Sequence, residues 1–237
     1  MSRPVGILIA LACLFILATP ALAVGREEAA AAAAVPRLEK ALADQKLKLG
    51  DPVFLRIFKE ESTLEIWMKP TGGGRFILFK SWPICAWSGS LGSKTKQGDR
   101  QAPEGFYAVG LKHLNPFSSY HLSFNLGYPN QYERSMGYTG SLLMVHGNCL
   151  SDGCYAMTDA SIEEIYTLVH SALKSGQPFF RVHAFPFHLT DKNLARHDGN
   201  VWSEFWLTQK PIYDYFEKHR LPPEVAVKDG RYQLSGN

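Results

Sequence analysis

The sequence predicts a mainly β domain with one long helix after Cys154 and a helical extension at its C-terminal end. Three observations predict it. Aromatic and β-branched runs recur between turn residues from position 53 to 185, the stretch after Thr158 keeps helical spacing, and the chain beyond about 190 changes to an aromatic stripe. The 237 residues are 46% hydrophobic and 20% charged, a globular balance long enough to bury one sizeable core. Disorder, collagen and a disulfide-dense miniprotein are excluded. With 25 Lys plus Arg against 22 Asp plus Glu, the net charge of +3 gives no case for a nucleic-acid partner, which needs a clustered basic face.

The first two dozen residues read as a secretory signal. Arg3 supplies the positive start, residues 5–18 the apolar core and Ala21-Leu22-Ala23 an A-x-A site, with cleavage expected after Ala23. The apolar run breaks at Thr19-Pro20, short of the roughly 20 residues that span a bilayer, so no stable membrane span is expected after cleavage. Cys13 lacks the upstream leucine of a lipobox and goes with the signal. The mature chain keeps Cys85, Cys149 and Cys154, an odd set that allows at most one intramolecular disulfide in an oxidising compartment.

Residues 24–50 read as an Ala-rich helical or frayed lead-in and linker. Pro36 divides it, and Leu38, Leu42, Leu47 and Leu49 suggest a short amphipathic helix ending near Gly50. From Pro52, Val53-Phe54-Leu55-Arg56-Ile57-Phe58 and Thr63-Leu64-Glu65-Ile66-Trp67-Met68 read as strands. Gly72-Gly73-Gly74 joins them to a third run over 75–82. No Gly-Lys-Ser/Thr follows the triplet, so it reads as a turn and not a phosphate loop. Strands are also expected after Gly105, over 122–126, over 142–145 and over 179–185. Thr158 or Asp159 caps a helix carrying Ile162, Ile165, Leu168, Val169 and Leu173, which Gly176 and Pro178 stop. In the tail, Trp202, Phe205, Trp206, Ile212, Tyr213 and Phe216 predict one or two helices interrupted by Pro211, then a hairpin turning at Asp229-Gly230. The expected organisation is thus 1–23 signal, 24–50 lead-in, 51–187 catalytic domain and 188–237 extension packed on the same core.

The chemistry lies in Met144-Val145-His146-Gly147-Asn148-Cys149-Leu150-Ser151-Asp152-Gly153-Cys154-Tyr155. A strand end presents His146, a glycine-bearing loop turns back, and Cys154 precedes the expected helix. A nearby imidazole, a helix N-terminus and partial exposure would each lower a thiol pKa from about 8.5, which marks Cys154 as a candidate nucleophile and His146 as its proton carrier. The carbonyl of Gly147 or of Ser151 could orient the His146 ring. The amides of Gly153, Cys154 and Tyr155 are candidate oxyanion donors, each typically worth about 3 kcal/mol of barrier. Two readings compete. His146, Cys149, Cys154 and His183 could gather a metal, but the spacing matches no common zinc pattern, and neither metal nor cofactor is expected. A Cys149–Cys154 bridge would silence the thiol, whereas a Cys85–Cys149 bridge, preferred here, leaves Cys154 free.

The residues also carry a resemblance. His146-Gly147 followed by Ser151-Asp152-Gly153-Cys154 resembles the signature of the YkuD-type L,D-transpeptidase family. Pro83-Ile84-Cys85, Gln101-Ala102-Pro103-Glu104-Gly105-Phe106-Tyr107, His121-Leu122-Ser123-Phe124-Asn125-Leu126-Gly127, Gly153-Cys154-Tyr155-Ala156-Met157-Thr158-Asp159 and His183-Ala184-Phe185-Pro186-Phe187 resemble its YafK-like murein branch. The resemblance spans roughly residues 50–220. It implies an L,D-transpeptidase catalytic β-fold and a periplasmic enzyme of peptidoglycan metabolism. Cys154 would form a thioester with a diaminopimelate-containing stem peptide, and His146 would move the protons. The branch is associated with release of murein-linked outer-membrane lipoprotein.

Two departures from the wider family matter. Asp152 stands where a second histidine is usual, and Ala156 where an arginine is usual. The missing arginine removes a carboxylate clamp, which favours hydrolysis over cross-link formation or lipoprotein attachment. A non-catalytic murein-binding or regulatory module is the alternative from another class. Tyr120, His121, Asn125, Tyr155 and His183 lie near strand ends that could line a cleft, and Arg134 or Arg181 could meet a substrate carboxylate.

Overall fold

The strands of this chain form two five-stranded sheets and one two-stranded hairpin. The computed structural model describes residues 25–235; the expected signal segment, with Arg3 and Cys13, lies outside the described residues. In chain order the elements are α1 (Arg26–Asp44), β1 (Val53–Phe58), β2 (Thr63–Met68), β3 (Ile77–Pro83), β4 (Ala86–Trp87), β5 (Gly105–Val109) and β6 (Leu114–Asn115). There follow β7 (Ser123–Asn125), α2 (Gln131–Ser135), β8 (Met144–His146), β9 (Tyr155–Ala156) and α3 (Asp159–Lys174). The chain then forms β10 (Phe180–Phe185), α4 (Asp191–Arg196), α5 (Ser203–His219), β11 (Val225–Lys228) and β12 (Arg231–Leu234).

The first sheet has the order β3-β2-β1-β10-β5, with β1 and β10 parallel and Leu55 opposite Val182. All six residues of β1 are buried, so both faces of this sheet are covered. One face sends Leu55, Ile57, Leu64, Ile66 and Val182 into the main core, where α1, α3 and the second sheet's Phe124, Val145 and Tyr155 meet them. The other face sends Phe54, Phe58, Trp67 and Phe185 under α5 and the β11–β12 hairpin. Arg56 lies in that second face, where Glu65 at 2.8 Å and Glu217 at 2.6 Å compensate its charge. The second sheet has the order β4-β9-β8-β7-β6, with β8 and β9 parallel.

The fold is a β/α mix built on these sheets, with α3 and a helical C-terminal segment where the sequence predicts them. Local departures have physical reasons. Pro36 does not divide the lead-in: α1 is one helix that buries Ala30, Ala34, Leu38 and Leu42 against the core, each leucine contributing roughly 2 kcal/mol. Pro36 and Ala32 are both exposed, so water can satisfy the carbonyl that the proline leaves without an amide. Pro211 sits inside α5 on the same terms, with Leu207 four residues earlier also exposed. The strand expected over 142–145 starts later, at Met144, because Leu142 takes a left-handed φ of 59°. Asp229 and Gly230, at φ 51° and 65°, turn the hairpin where expected.

Candidate active site

Side chains alternate across a strand, and the register of the second sheet sorts them into an apolar and a reactive face. Val145 lies opposite Tyr155 and Phe124, and all three enter the main core. The other face carries His146 beside Ser123 and Met144 beside Asn125, with Ala156 of β9 paired to His146. Cys154 lies in the bend just before β9, and its Sγ, bonded to the Met144 amide, sits against the strand that ends in His146. Their separation of eight residues becomes proximity because the loop returns β9 alongside β8.

That loop is tied at several points. Asn148 and Cys149 both have left-handed φ, 69° and 48°. The Asn148 amide donates to Asp159 Oδ1 at 2.8 Å and the Cys149 amide to the Met157 carbonyl at 3.2 Å. Cys149 is bridged to Cys85, whose own amide donates to the Ala156 carbonyl at 2.9 Å. Cys154 is the free cysteine among the described residues. With Cys149 bridged and His183 elsewhere, the metal reading loses two of its four ligands. No group of three or more His, Cys, Asp or Glu among the described residues could hold a metal ion.

His146 is buried, and its Nδ1 lies 2.6 Å from the Gly147 carbonyl. A carbonyl only accepts, so Nδ1 carries the proton and the neutral ring keeps Nε2 as its basic nitrogen. Burial pushes this imidazole below its ordinary pKa, partly offset by the Gly147 contact. Cys154 Sγ accepts the Met144 amide at 3.4 Å and donates to the Leu142 carbonyl at 3.7 Å. Burial pushes this thiol up, Asp152 adds to the effect, and the Met144 amide and Lys94 oppose it.

Three expectations are corrected here. Cys154 does not open a helix: β9 intervenes, and α3 begins at Asp159 behind its N-cap Thr158, whose hydroxyl accepts the Ser161 amide at 3.2 Å. The helix dipole is thus spent on residues beyond the site, and the thiol pKa is raised instead of lowered. Nor are the amides of Gly153 and Tyr155 free to meet an oxyanion. Gly153 donates to Ser88 Oγ at 2.6 Å. Met157, two residues past Tyr155, donates to the His146 carbonyl at 2.7 Å, so the alternation of a parallel ladder turns the Tyr155 amide toward β8 as well.

The candidate substrate residues separate clearly. Tyr120 is half-exposed, with its ring centroid 4.7 Å from that of His146. His121 adjoins it but turns its ring onto Glu163 Oε1 at 3.1 Å. Asn125 is on the reactive face, with Oδ1 accepting the Gly127 amide at 2.8 Å. Arg134 bonds the Pro129 carbonyl within its own turn, and Arg181 pairs with Glu224. His183 is sealed on the far face of the first sheet between Phe54 and Phe106, with ring centroids at 4.8 and 4.6 Å, and cannot reach the site. Burial drives its imidazole well below the ordinary value.

Sequence reasoning missed Ser88 and undervalued Ser151. Ser88 Oγ holds the Gly153 amide and lies 3.3 Å from Ser151 Oγ, which donates to the Cys154 carbonyl at 2.7 Å. Nothing local could have linked Ser88 to a glycine 65 residues on. The loop that carries Ser88 is anchored by a fully buried pair, Lys59 and Glu104 at 3.0 Å. Lys59 Nζ donates to the carbonyls of Ser90, Gly92 and Ala102 at 2.8, 2.9 and 3.0 Å, and Trp206 Nε1 donates to Glu104 at 2.8 Å.

Comparison with known proteins is consistent with this geometry. Residues 59–182 match the YkuD family model, described as an L,D-transpeptidase catalytic domain. The chain is 48% identical over 187 residues to YafK of Escherichia coli strain K12, provisionally named an L,D-transpeptidase, covering 79% of this chain and 75% of that protein. The YafK of Escherichia coli O157:H7 matches to the same extent. Among solved structures, the helical cell shape determining protein Pgp2 of Campylobacter jejuni (K307A mutant) aligns at a TM-score of 0.47 with 19% identity, over 78% of this chain and 68% of that one. Bd1075 of Bdellovibrio bacteriovorus aligns at 0.41 with 20% identity, over 71% and 61%. These two structural likenesses are too distant to carry a functional argument.

Proposed function

The chain belongs to the YkuD L,D-transpeptidase family, and from that premise we propose that it is a periplasmic cysteine acyl-transfer enzyme that cuts a diaminopimelate-linked group from peptidoglycan. One observation carries the reading: the unbridged thiol of Cys154 rests against β8, bonded to the Met144 amide, and β8 ends in a histidine whose Nδ1 is already committed to the Gly147 carbonyl. Nε2 of His146 is then the base.

Both partners rest neutral, since burial raises the thiol and lowers the imidazole. When the stem peptide binds, Nε2 takes the Sγ proton as Sγ attacks the diaminopimelate-side carbonyl carbon. The Met144 amide already donates to Sγ and stabilises the charge on sulfur as its proton leaves. Collapse of the tetrahedral intermediate breaks the C–N bond, and the imidazolium gives its proton to the leaving amine. Water, deprotonated by the same nitrogen, then attacks the thioester and returns the thiol. An acceptor amine in place of water would give transpeptidation. Ala156, fully buried where the wider family has an arginine, offers no clamp for an acceptor carboxylate, which favours water.

Murein-bound lipoprotein is the leaving group we favour, delivered to an enzyme exported by its N-terminal signal. The raised thiol also favours one rival, a murein-binding module that keeps the fold without turnover. Incubating the mature protein and its Cys154→Ala variant with sacculi carrying bound lipoprotein, with products resolved by mass spectrometry, separates the readings. Lipoprotein release lost in the variant supports hydrolysis. New cross-links or newly attached lipoprotein would mean transfer, and binding without products from either protein would mean the module.

A further inference from the structure

We infer that Arg26 is a positioning residue for His146, which makes helix α1 part of the catalytic unit although it lies outside the stretch that matches the family. The inference rests on the acyl-transfer reading above. Arg26 opens α1, and its Nη1 donates to two carbonyls of a distant loop, Ser118 at 2.6 Å and His121 at 2.7 Å. Those carbonyls bracket Ser119 and Tyr120. Tyr120 is the residue whose ring lies beside the imidazole, and its carbonyl accepts the Gly147 amide at 3.0 Å. The Leu122 carbonyl shares that amide at 3.2 Å, and the Gly147 carbonyl accepts a hydrogen bond from His146 Nδ1. A guanidinium, two loop carbonyls, one peptide unit and an imidazole thus form one contiguous series of contacts.

The loop needs an external hold. Phe117 is 82% exposed and Tyr120 is 45% exposed, so in the stretch between β6 and β7 burial holds Ser118 and Leu122 but not the residues between them. His121 has a φ of 68°, a conformation that a residue with a Cβ keeps where its surroundings enforce it. Two contacts enforce it from opposite sides. Arg26 grips the His121 carbonyl, and Glu163 of α3 meets the His121 ring at 3.1 Å. Glu163 is itself 3.5 Å from Arg37, so α1 reaches the loop by a second route. Hydrogen bonds from a charged donor are short and strong for their kind, and a single Nη1 spanning two carbonyls fixes the loop's shape as well as its position. Two hydrogen bonds from an exposed side chain have little effect on global stability, so the role of Arg26 is local order around the imidazole.

The test uses the full mature chain as wild type, Arg26→Ala, Arg26→Lys and Lys40→Ala, the last a control on the exposed side of α1 where Lys40 meets Asp44. Two readouts need no substrate: an NMR titration of the His146 ring nitrogens and the rate at which iodoacetamide alkylates Cys154. A third is kcat and KM on lipoprotein-bearing murein. Arg26→Ala is expected to lower kcat by about tenfold or more with little change in KM, as small misplacements of a catalytic group do. It should also move the His146 titration toward its ordinary value as water reaches the ring. Arg26→Lys should recover part of both, and Lys40→Ala should change neither. Should Arg26→Ala fold poorly, Glu163→Gln loosens the same loop from α3 and should shift the titration in the same direction.

An unchanged His146 titration in a folded Arg26→Ala protein would overturn the inference, as would a kcat loss that only tracks a fallen melting temperature. Wild-type protein inactive on murein would instead overturn the acyl-transfer reading, while the titration would still decide whether Arg26 positions the ring.

Discussion

His146 turns its Nδ1 onto the carbonyl of Gly147, the next residue in the chain, at 2.6 Å, and keeps one ring nitrogen for chemistry. The geometry depends on Gly147 having no side chain. A Cβ there would stand 2.6 Å from Asp159 Oδ1 and 3.1 Å from both His121 Cβ and Ile162 Cγ2. Gly147→Ala must therefore displace the peptide that orients the ring. We expect kcat to fall by roughly two orders of magnitude, as for a catalytic group displaced by about 1 Å, with a stability cost of about 1–3 kcal/mol for overpacking. Steady-state kinetics beside thermal unfolding check it, and full activity in a folded variant would contradict the orienting role.

Cys154 should behave as a half-buried, protonated thiol in the free protein. Its pKa lies above the ordinary thiol value, burial being the main cause. The alkylation rate with iodoacetamide should keep rising as pH passes 9 and show no plateau in the neutral range. A flat rate from pH 6 upward would instead reveal a resting thiolate–imidazolium pair.

Sequence reading reached the cysteine and the histidine because strand, loop and return strand lie within 16 consecutive residues. It failed where the deciding partner is remote. The direction of the Cys154 shift turns on burial and on where α3 starts, and Met157-Thr158-Asp159 reads as a helix start without revealing that Tyr155 and Ala156 pair with two neighbouring strands first. His183 shows the same limit. Its alternating strand pattern is legible, but which face meets the site depends on how the two sheets stack. Pro36 and Pro211 misled because each lies on an exposed helix face, where water can take the carbonyl that the missing amide frees.

The Cys85–Cys149 bridge closes a separation of 64 residues and tethers the loop between β8 and β9 to the chain leading into β4. On the chain-entropy model a loop of that length stabilises by up to about 4 kcal/mol. Reduction, or the Cys85→Ser and Cys149→Ser pair, should lower the melting temperature and slow turnover together, with Cys154 remaining the titratable thiol of the mature oxidised protein. Calorimetry with and without reductant measures the first effect. An unchanged melting temperature on full reduction would remove the tether's structural role.

Lys59 and Glu104 form a pair that water does not reach, and burial pulls the lysine below its ordinary value while Glu104 opposes that shift. Removing one partner leaves an uncompensated buried charge. Glu104→Gln should cost about 3–5 kcal/mol, and it also weakens the hold on the Gly92 amide at 2.7 Å and on Trp206. Replacing both with apolar residues should restore much of the loss. Denaturant titration of the two single variants and the double variant decides it: additive losses would show that the pair is not coupled.

Glu133 and His146 set opposite slopes of stability against pH. Burial raises the Glu133 carboxyl from 4.5 to about 7, despite donation from Tyr107 OH at 2.5 Å and from the Asn130 amide at 2.5 Å. An acid whose folded pKa is raised binds more protons folded than unfolded, so its contribution is full below about 4.5 and is lost as pH rises through 7. The loss is on the order of 3 kcal/mol. His146, lowered on folding, works the other way: the unfolded chain takes the proton first, so stability falls as pH drops below about 6.5. Glu133→Gln keeps an oxygen for Tyr107 but cannot ionise. Its stability relative to wild type should therefore rise between pH 5 and 8, measured by denaturant midpoints across that range. A constant difference between the two proteins would mean that the carboxyl titrates at an ordinary value and that its hydrogen bonds outweigh its burial.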